Sequence, residues 1–171
     1  MAGDVAAAAA HLRSLPTSNG RVGSIGYCSG GRQSVLAGCR VDLDAVVDCY
    51  GAWVTGTPPP ETAARVRTLQ DELPNLGGPL LGLFGNDDQH PSPEHVDELE
   101  KLLTDLGKPF EFHRYDGAGH AFFSVDRPSY RVDAAVDGWQ RITDFYARTL
   151  ATDTSTDFVS TDSVSTDSAG A

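Results

Sequence analysis

Lysine is almost missing from this chain: of 13 basic residues only Lys101 and Lys108 are lysines, against 24 acids and a formal net charge of −11. No basic cluster occurs anywhere, so the electrostatic footprint needed for nucleic acid or an anionic membrane surface is absent, and neither is expected as a partner. Long apolar runs are scarce too. The longest candidate, Val5 to Ala10, is mostly alanine and follows Asp4 instead of a basic segment. It is too short for a signal-peptide core or a membrane helix. Only three cysteines are present, Cys28, Cys39 and Cys49, an odd number with no CxxC or Cys/His zinc spacing. Without an export signal the expected compartment is cytoplasmic and reducing, with each thiol free and Cys39 and Cys49 serving as small core residues. Neither GxGxxG nor GxxxxGK[ST] occurs, which argues against a nucleotide-phosphate loop. Asp87, Asp88, His90 and His95 are close in sequence but match no ligand spacing, so no metal is expected. His95 reads as an exposed helix residue, and His11 and His113 as surface residues.

What is present suits one folded unit, since 171 residues can bury a substantial core. From Thr152 the composition narrows to Ser, Thr, Asp, Val and Ala, and three near-copies of a five-residue unit follow: STDFV, STDSV and STDSA. Residues 151–171 are therefore expected to form a disordered acidic tail behind a domain over residues 1–150. Within that domain strand-like and helix-like stretches alternate. Asp4 to Leu15 reads as a helix, Arg21 to Tyr27 as a strand, Gly30 to Cys39 as a helix and Ala45 to Tyr50 as a strand. A short helix from Glu61 to Leu73 is expected next, then a strand over Pro79 to Phe84. Ser92 and Pro93 open a helix whose Val96, Leu99, Leu102, Leu103 and Leu106 form one stripe. A fourth strand, Phe110 to Tyr115, and a closing helix, Ser129 to Leu150, complete the pattern. Such alternation predicts a parallel sheet covered on both faces.

The chemistry-bearing segment is VGSIGYCSGG, Val22 to Gly31. A strand runs into Gly26-Tyr27-Cys28-Ser29-Gly30 and then a helix, the form of a nucleophile elbow. The glycines two residues either side are expected to relieve clashes at a tight, strained turn. The turn would aim Cys28 outward at the N-terminus of a helix, where the macrodipole and free N–H groups favour a thiolate. Gly85-Asn86-Asp87-Asp88 follows the third strand and Gly117-Ala118-Gly119-His120 the fourth. The chain order is thus nucleophile, acid, base, with each group at the end of a strand where open parallel sheets form their sites. In that arrangement His120 is the base for Cys28, and an aspartate orients its imidazole.

The segments GYCSGG, DAVVDCYG, LFGNDDQHP, GAGHAFF and RPSYR resemble, in order, the dienelactone hydrolase (carboxymethylenebutenolidase) family over residues 15–150. The resemblance implies a partial α/β-hydrolase fold, mostly parallel with helices on both faces and missing its N-terminal strands. It further implies hydrolysis of a small ester or lactone through a Cys-His-Asp triad and a thioester acyl-enzyme, with no cofactor. Carried over residue by residue, the triad is Cys28, His120 and Asp87, with the adjacent Asp88 as the alternative acid. The backbone N–H of Ser29 is expected in the oxyanion hole, and Tyr27, Trp53, Phe122 and Phe123 are either pocket walls or core.

Departures from the family pattern are also legible. The elbow arrives at residue 28, so about 80 residues of preceding βα units are expected to be absent, and with them a second oxyanion donor. An arginine expected four residues after the histidine is replaced by Ser124. An exposed strand edge would invite pairing with a second copy or with a chain that supplies the missing strands. The competing expectation is a hydrolase-like remnant that binds a ligand or partner without turning it over.

Overall fold

In a computed structural model describing residues 1–151, the alternation becomes α1 (Ala2–Ser14), β1 (Gly23–Tyr27), α2 (Ser29–Arg40), β2 (Ala45–Cys49), α3 (Pro60–Ala63), β3 (Leu80–Gly85), α4 (Pro93–Asp105), β4 (Phe110–Tyr115) and α5 (Val132–Leu150). The repeats expected to form an acidic tail lie outside the described residues. All four strands are parallel, in the order β1-β2-β3-β4. The register sets Tyr27 beside Cys49, Cys49 beside Leu83, and Gly85 beside Tyr115. Every strand therefore delivers its outgoing loop to the same edge of the sheet, where open α/β sheets build their sites.

Two faces hold the sheet. Ala45, Val47, Cys49, Leu81 and Leu83 pack with Phe122 and with Ile142 and Phe145 of α5. On the other face Val46, Leu80 and Phe84 meet Val35 and Ala37 of α2 and Val96, Leu99 and Leu103 of α4. Each of the Val, Leu, Ile and Phe side chains among these contributes about 1.5–3 kcal/mol when fully buried. Because β2 and β3 are buried on both faces, their sequences are near-continuous apolar runs instead of alternating ones. Asp48 is the exception within AVVDC, and it is completely buried.

Several elements differ from the sequence expectation. The helix expected over Glu61 to Leu73 shrinks to the single turn Pro60–Ala63. The Leu69 N–H donates to Val54 O at 2.9 Å, which ties this segment to the chain after β2 instead of to its own preceding turn. Pro74 then lies in a short 3-10 turn, Leu73–Asn75. Helix α5 starts at Val132, not Ser129, because Arg131 N–H is bonded to Phe122 O at 3.1 Å. His95 is half-buried rather than exposed: its Nδ1 accepts from Ser92 N–H at 3.3 Å, closing a capping box on α4. His113, expected at the surface, is also half-buried, with Nε2 2.6 Å from Glu111 Oε1.

Candidate active site

Cys28 sits between β1 and α2 with φ 56° and ψ −123°, a left-handed conformation that costs a non-glycine residue about 1–3 kcal/mol. Its N–H donates to Cys49 O at 3.0 Å, so the chain leaves the ladder immediately after the nucleophile position. The elbow expectation for the glycines is half met. A Cβ on Gly26 would lie 1.9 Å from Gly30 O, so only glycine lets the first turn of α2 close over the strand. A Cβ on Gly30, by contrast, would meet nothing within 4 Å. The second crowded glycine is Gly31, where a Cβ would fall 2.1 Å from Asp48 Oδ1. The thiol of Cys28 is exposed, whereas Cys39 and Cys49 are buried. Ser29 opens α2, so its N–H lacks a helical carbonyl one turn back and is free to meet a developing negative charge.

His120 follows β4, and the carboxylate that meets it is Asp88, not the expected Asp87. Asp88 Oδ2 lies 2.8 Å from His120 Nδ1, and Asp88 Oδ1 accepts from His90 N–H at 2.8 Å. The reason is a backbone lace between two loops. Asp87 N–H donates to Ala118 O at 2.9 Å and Asp88 N–H turns back to Gly85 O at 3.2 Å, so adjacent side chains leave on opposite sides. Asp88 turns inward, with its side chain only 3 % exposed, and Asp87 turns outward. Its hydrogen bond to Asp88, opposed by burial and assisted by the neighbouring Cys28, raises the His120 pKa from 6.5 to about 9. The Tyr50 ring meets the imidazole edge to face at 5.2 Å and fixes its plane.

A cavity of about 490 Å³ opens over these groups, lined by Cys28, Ala52, Trp53, Asp87, Asp88, Gln89, His90 and His120. Of the aromatic residues expected as walls or core, only Trp53 reaches it. Its ring stacks at a tilt on His90, centroids 4.4 Å apart, and its backbone is left-handed at φ 64°. Phe122 belongs to the core under α5, and Tyr27 and Phe123 pack against that core, so Tyr27 and Phe122, expected as substrate contacts, lie outside the lining of this cavity. Ala52, Gln89 and His90 were not singled out in the sequence and carry no motif that would have revealed them.

Just beneath the elbow lies Asp48, which sequence reading also passed over. Its Oδ1 accepts from Gly51 N–H at 2.7 Å, whereas its Oδ2 has no partner among the described residues. Burial pushes its pKa up from 3.8 to about 7, against the lowering effect of the Gly51 hydrogen bond. The contact clamps the turn that runs from Tyr50 to Trp53 against the first turn of α2.

The arrangement is one that other proteins share. The Dienelactone hydrolase family model matches residues 1–150. The chain is 35 % identical over 127 residues to a provisionally named carboxymethylenebutenolidase of Methylorubrum extorquens, covering 74 % of this chain and 42 % of that one. It is 30 % identical over 135 residues to the carboxymethylenebutenolidase of Rhodococcus opacus, covering 78 % and 52 %. A crystal structure of a provisionally named dienelactone hydrolase from Klebsiella pneumoniae superposes with a TM-score of 0.75 at 28 % identity, covering 86 % of this chain and 60 % of that one. The chain thus spans about half the length of the curated relatives it matches. On the family match and on these relatives, the chain belongs to the dienelactone hydrolase family.

Proposed function

We propose that this chain hydrolyses small carboxylic esters or lactones with Cys28 as nucleophile, His120 as acid and base, and Asp88 as the group that orients His120. The observation that carries the reading is the Asp88 Oδ2 to His120 Nδ1 contact of 2.8 Å beside the strained, exposed Cys28. With Nδ1 engaged by Asp88, Nε2 is the ring nitrogen left to serve Cys28. The thiolate attacks the ester carbonyl and forms a C–S bond, while the oxyanion takes the Ser29 N–H. Collapse breaks the C–O bond, and the His120 imidazolium gives its Nε2 proton to the leaving alkoxide. In the thioester the now neutral imidazole takes a proton from water, hydroxide adds to the carbonyl and the thiolate leaves. Atoms and charge then return to the starting state. Family membership supports hydrolysis as the reaction class, as do relatives named carboxymethylenebutenolidase.

Turnover of p-nitrophenyl acetate and of the neutral lactone dihydrocoumarin by the folded chain tests this reading. For dihydrocoumarin kcat/KM is expected to fall on the alkaline side with an apparent pKa of about 9, as free His120 loses the proton it donates. A folded chain that hydrolyses neither compound above the buffer rate would refute the proposal.

A further inference from the structure

Asp87 gives the site a charge preference of its own. With Asp88 assigned to His120, Asp87 carries an exposed carboxylate on the wall of the cavity, and no side chain among the described residues makes a hydrogen bond or ion pair to it. None of the lining residues is lysine or arginine. Arg32, whose guanidinium donates to the carbonyls of Trp53 and Arg67, lies outside the lining. The other acid, Asp88, is answered by His120. The same lining includes an aromatic surface, the Trp53 ring against His90 with centroids 4.4 Å apart and a tilt of 38°, and Ala52. Such a face takes planar groups, and cations more readily than anions, because the indole face carries negative charge density. The chain as a whole, at −11, steers in the same direction.

Resting on the hydrolase reading above, we infer that the cavity selects aromatic esters and lactones that carry no negative charge, with Asp87 as the specificity-determining carboxylate and Trp53 as the stacking surface. An acidic substituent brought within about 5 Å of Asp87 meets a repulsion of about 1 kcal/mol in a solvent-filled cleft, or roughly fivefold in kcat/KM, and a cationic one gains as much. The effect acts through binding and encounter, so KM carries it and kcat does not.

The test compares phenyl acetate, 4-carboxyphenyl acetate and 3-(trimethylammonio)phenyl acetate on the wild type, Asp87→Asn and Trp53→Ala, at low and high salt. Comparing ratios between enzymes removes the intrinsic reactivity of each ester. Asp87→Asn is expected to raise the anionic-to-neutral ratio of kcat/KM about 3- to 10-fold and to lower the cationic-to-neutral ratio by a similar factor. Both changes should lie in KM and shrink as salt screens the cleft. Trp53→Ala is expected to raise KM for phenyl acetate more than for ethyl acetate. Ratios that do not move with Asp87→Asn, while phenyl acetate is turned over, overturn this inference and leave the hydrolase reading standing. Failure of the wild type to hydrolyse any of the three overturns the hydrolase reading itself.

Discussion

Cys28→Ala is expected to abolish ester turnover, and Asp88→Asn to lower activity by up to about 10⁴-fold, the loss seen when the orienting acid of a triad is neutralised. Asp87→Asn is expected to cost a neutral ester no more than about fivefold. The contrast between neighbours follows from the loop that carries them. Asp88 has one oxygen on His120 Nδ1 and the other on His90 N–H, both at 2.8 Å. Asparagine at that position can keep the bond to His90 N–H, so the loop survives. Its amide NH₂, however, would donate to Nδ1 and favour the opposite tautomer, which puts the proton on Nε2 and leaves that nitrogen unable to accept one from Cys28 or from water. The hydrogen bond to the Asp88 carboxylate is also the chief cause of the raised His120 pKa. The sign is the usual one for a histidine that gains a partner. Its imidazolium is favoured in the fold, and the advantage disappears as pH rises through about 9. In Asp88→Asn the alkaline limb of kcat/KM should therefore move from about 9 towards 6.5. Steady-state kinetics across pH, with circular dichroism on each variant, checks all three substitutions. Equal losses in Asp87→Asn and Asp88→Asn would contradict the assignment of the acid.

The second large effect concerns stability and lies below the site. Asp48 is fully buried, with one carboxylate oxygen lacking a partner among the described residues, and its pKa is raised from 3.8 to about 7. Between those values the folded protein keeps a proton that the unfolded chain has lost, so stability falls as pH rises through the window. About three pH units correspond to about 4 kcal/mol. Asp48→Asn keeps an oxygen for Gly51 N–H and removes the charge. Its buried NH₂ group lacks a partner just as the protonated carboxyl does, so the two proteins should be equally stable near pH 4. By pH 8 the variant should be more stable by about 2–4 kcal/mol, read from urea denaturation at both pH values. A variant that is less stable at pH 8 would show instead that the N-terminus of α2, which abuts Asp48 at Gly31, stabilises the carboxylate there.

The sheet, and the placing of Cys28 and His120 at one edge of it, were readable from sequence because each depends on local signals. Gly26 and Cys28 are tied to one turn, and the apolar runs of β2 and β3 announce strands buried on both faces. Which carboxylate meets His120 was not readable to the residue. Asp87 and Asp88 are chemically identical, and what separates them is a hydrogen bond from Asp87 N–H to Ala118 O on a distant loop. Tyr27 and Phe122 look like pocket walls when placed by their distance from Cys28 and His120 along the chain, yet the strand pleat and the packing of α5 put Phe122 in the core and Tyr27 against it. The helix expected after Pro60 failed for a similar reason, since Leu69 spends its N–H on Val54. Asp48 did leave a signal, a single acid inside an otherwise apolar strand.

The most direct test of the central claim is to locate the acyl group during turnover. The chain is mixed with p-nitrophenyl acetate, quenched with acid in the pre-steady state, digested and mapped by mass spectrometry. An acetyl group, labile to hydroxylamine as a thioester, is expected on the peptide that contains Cys28, and none on that peptide in Cys28→Ala. An acetyl group on Ser29 or on any other side chain, with Cys28 unmodified while turnover proceeds, would contradict it.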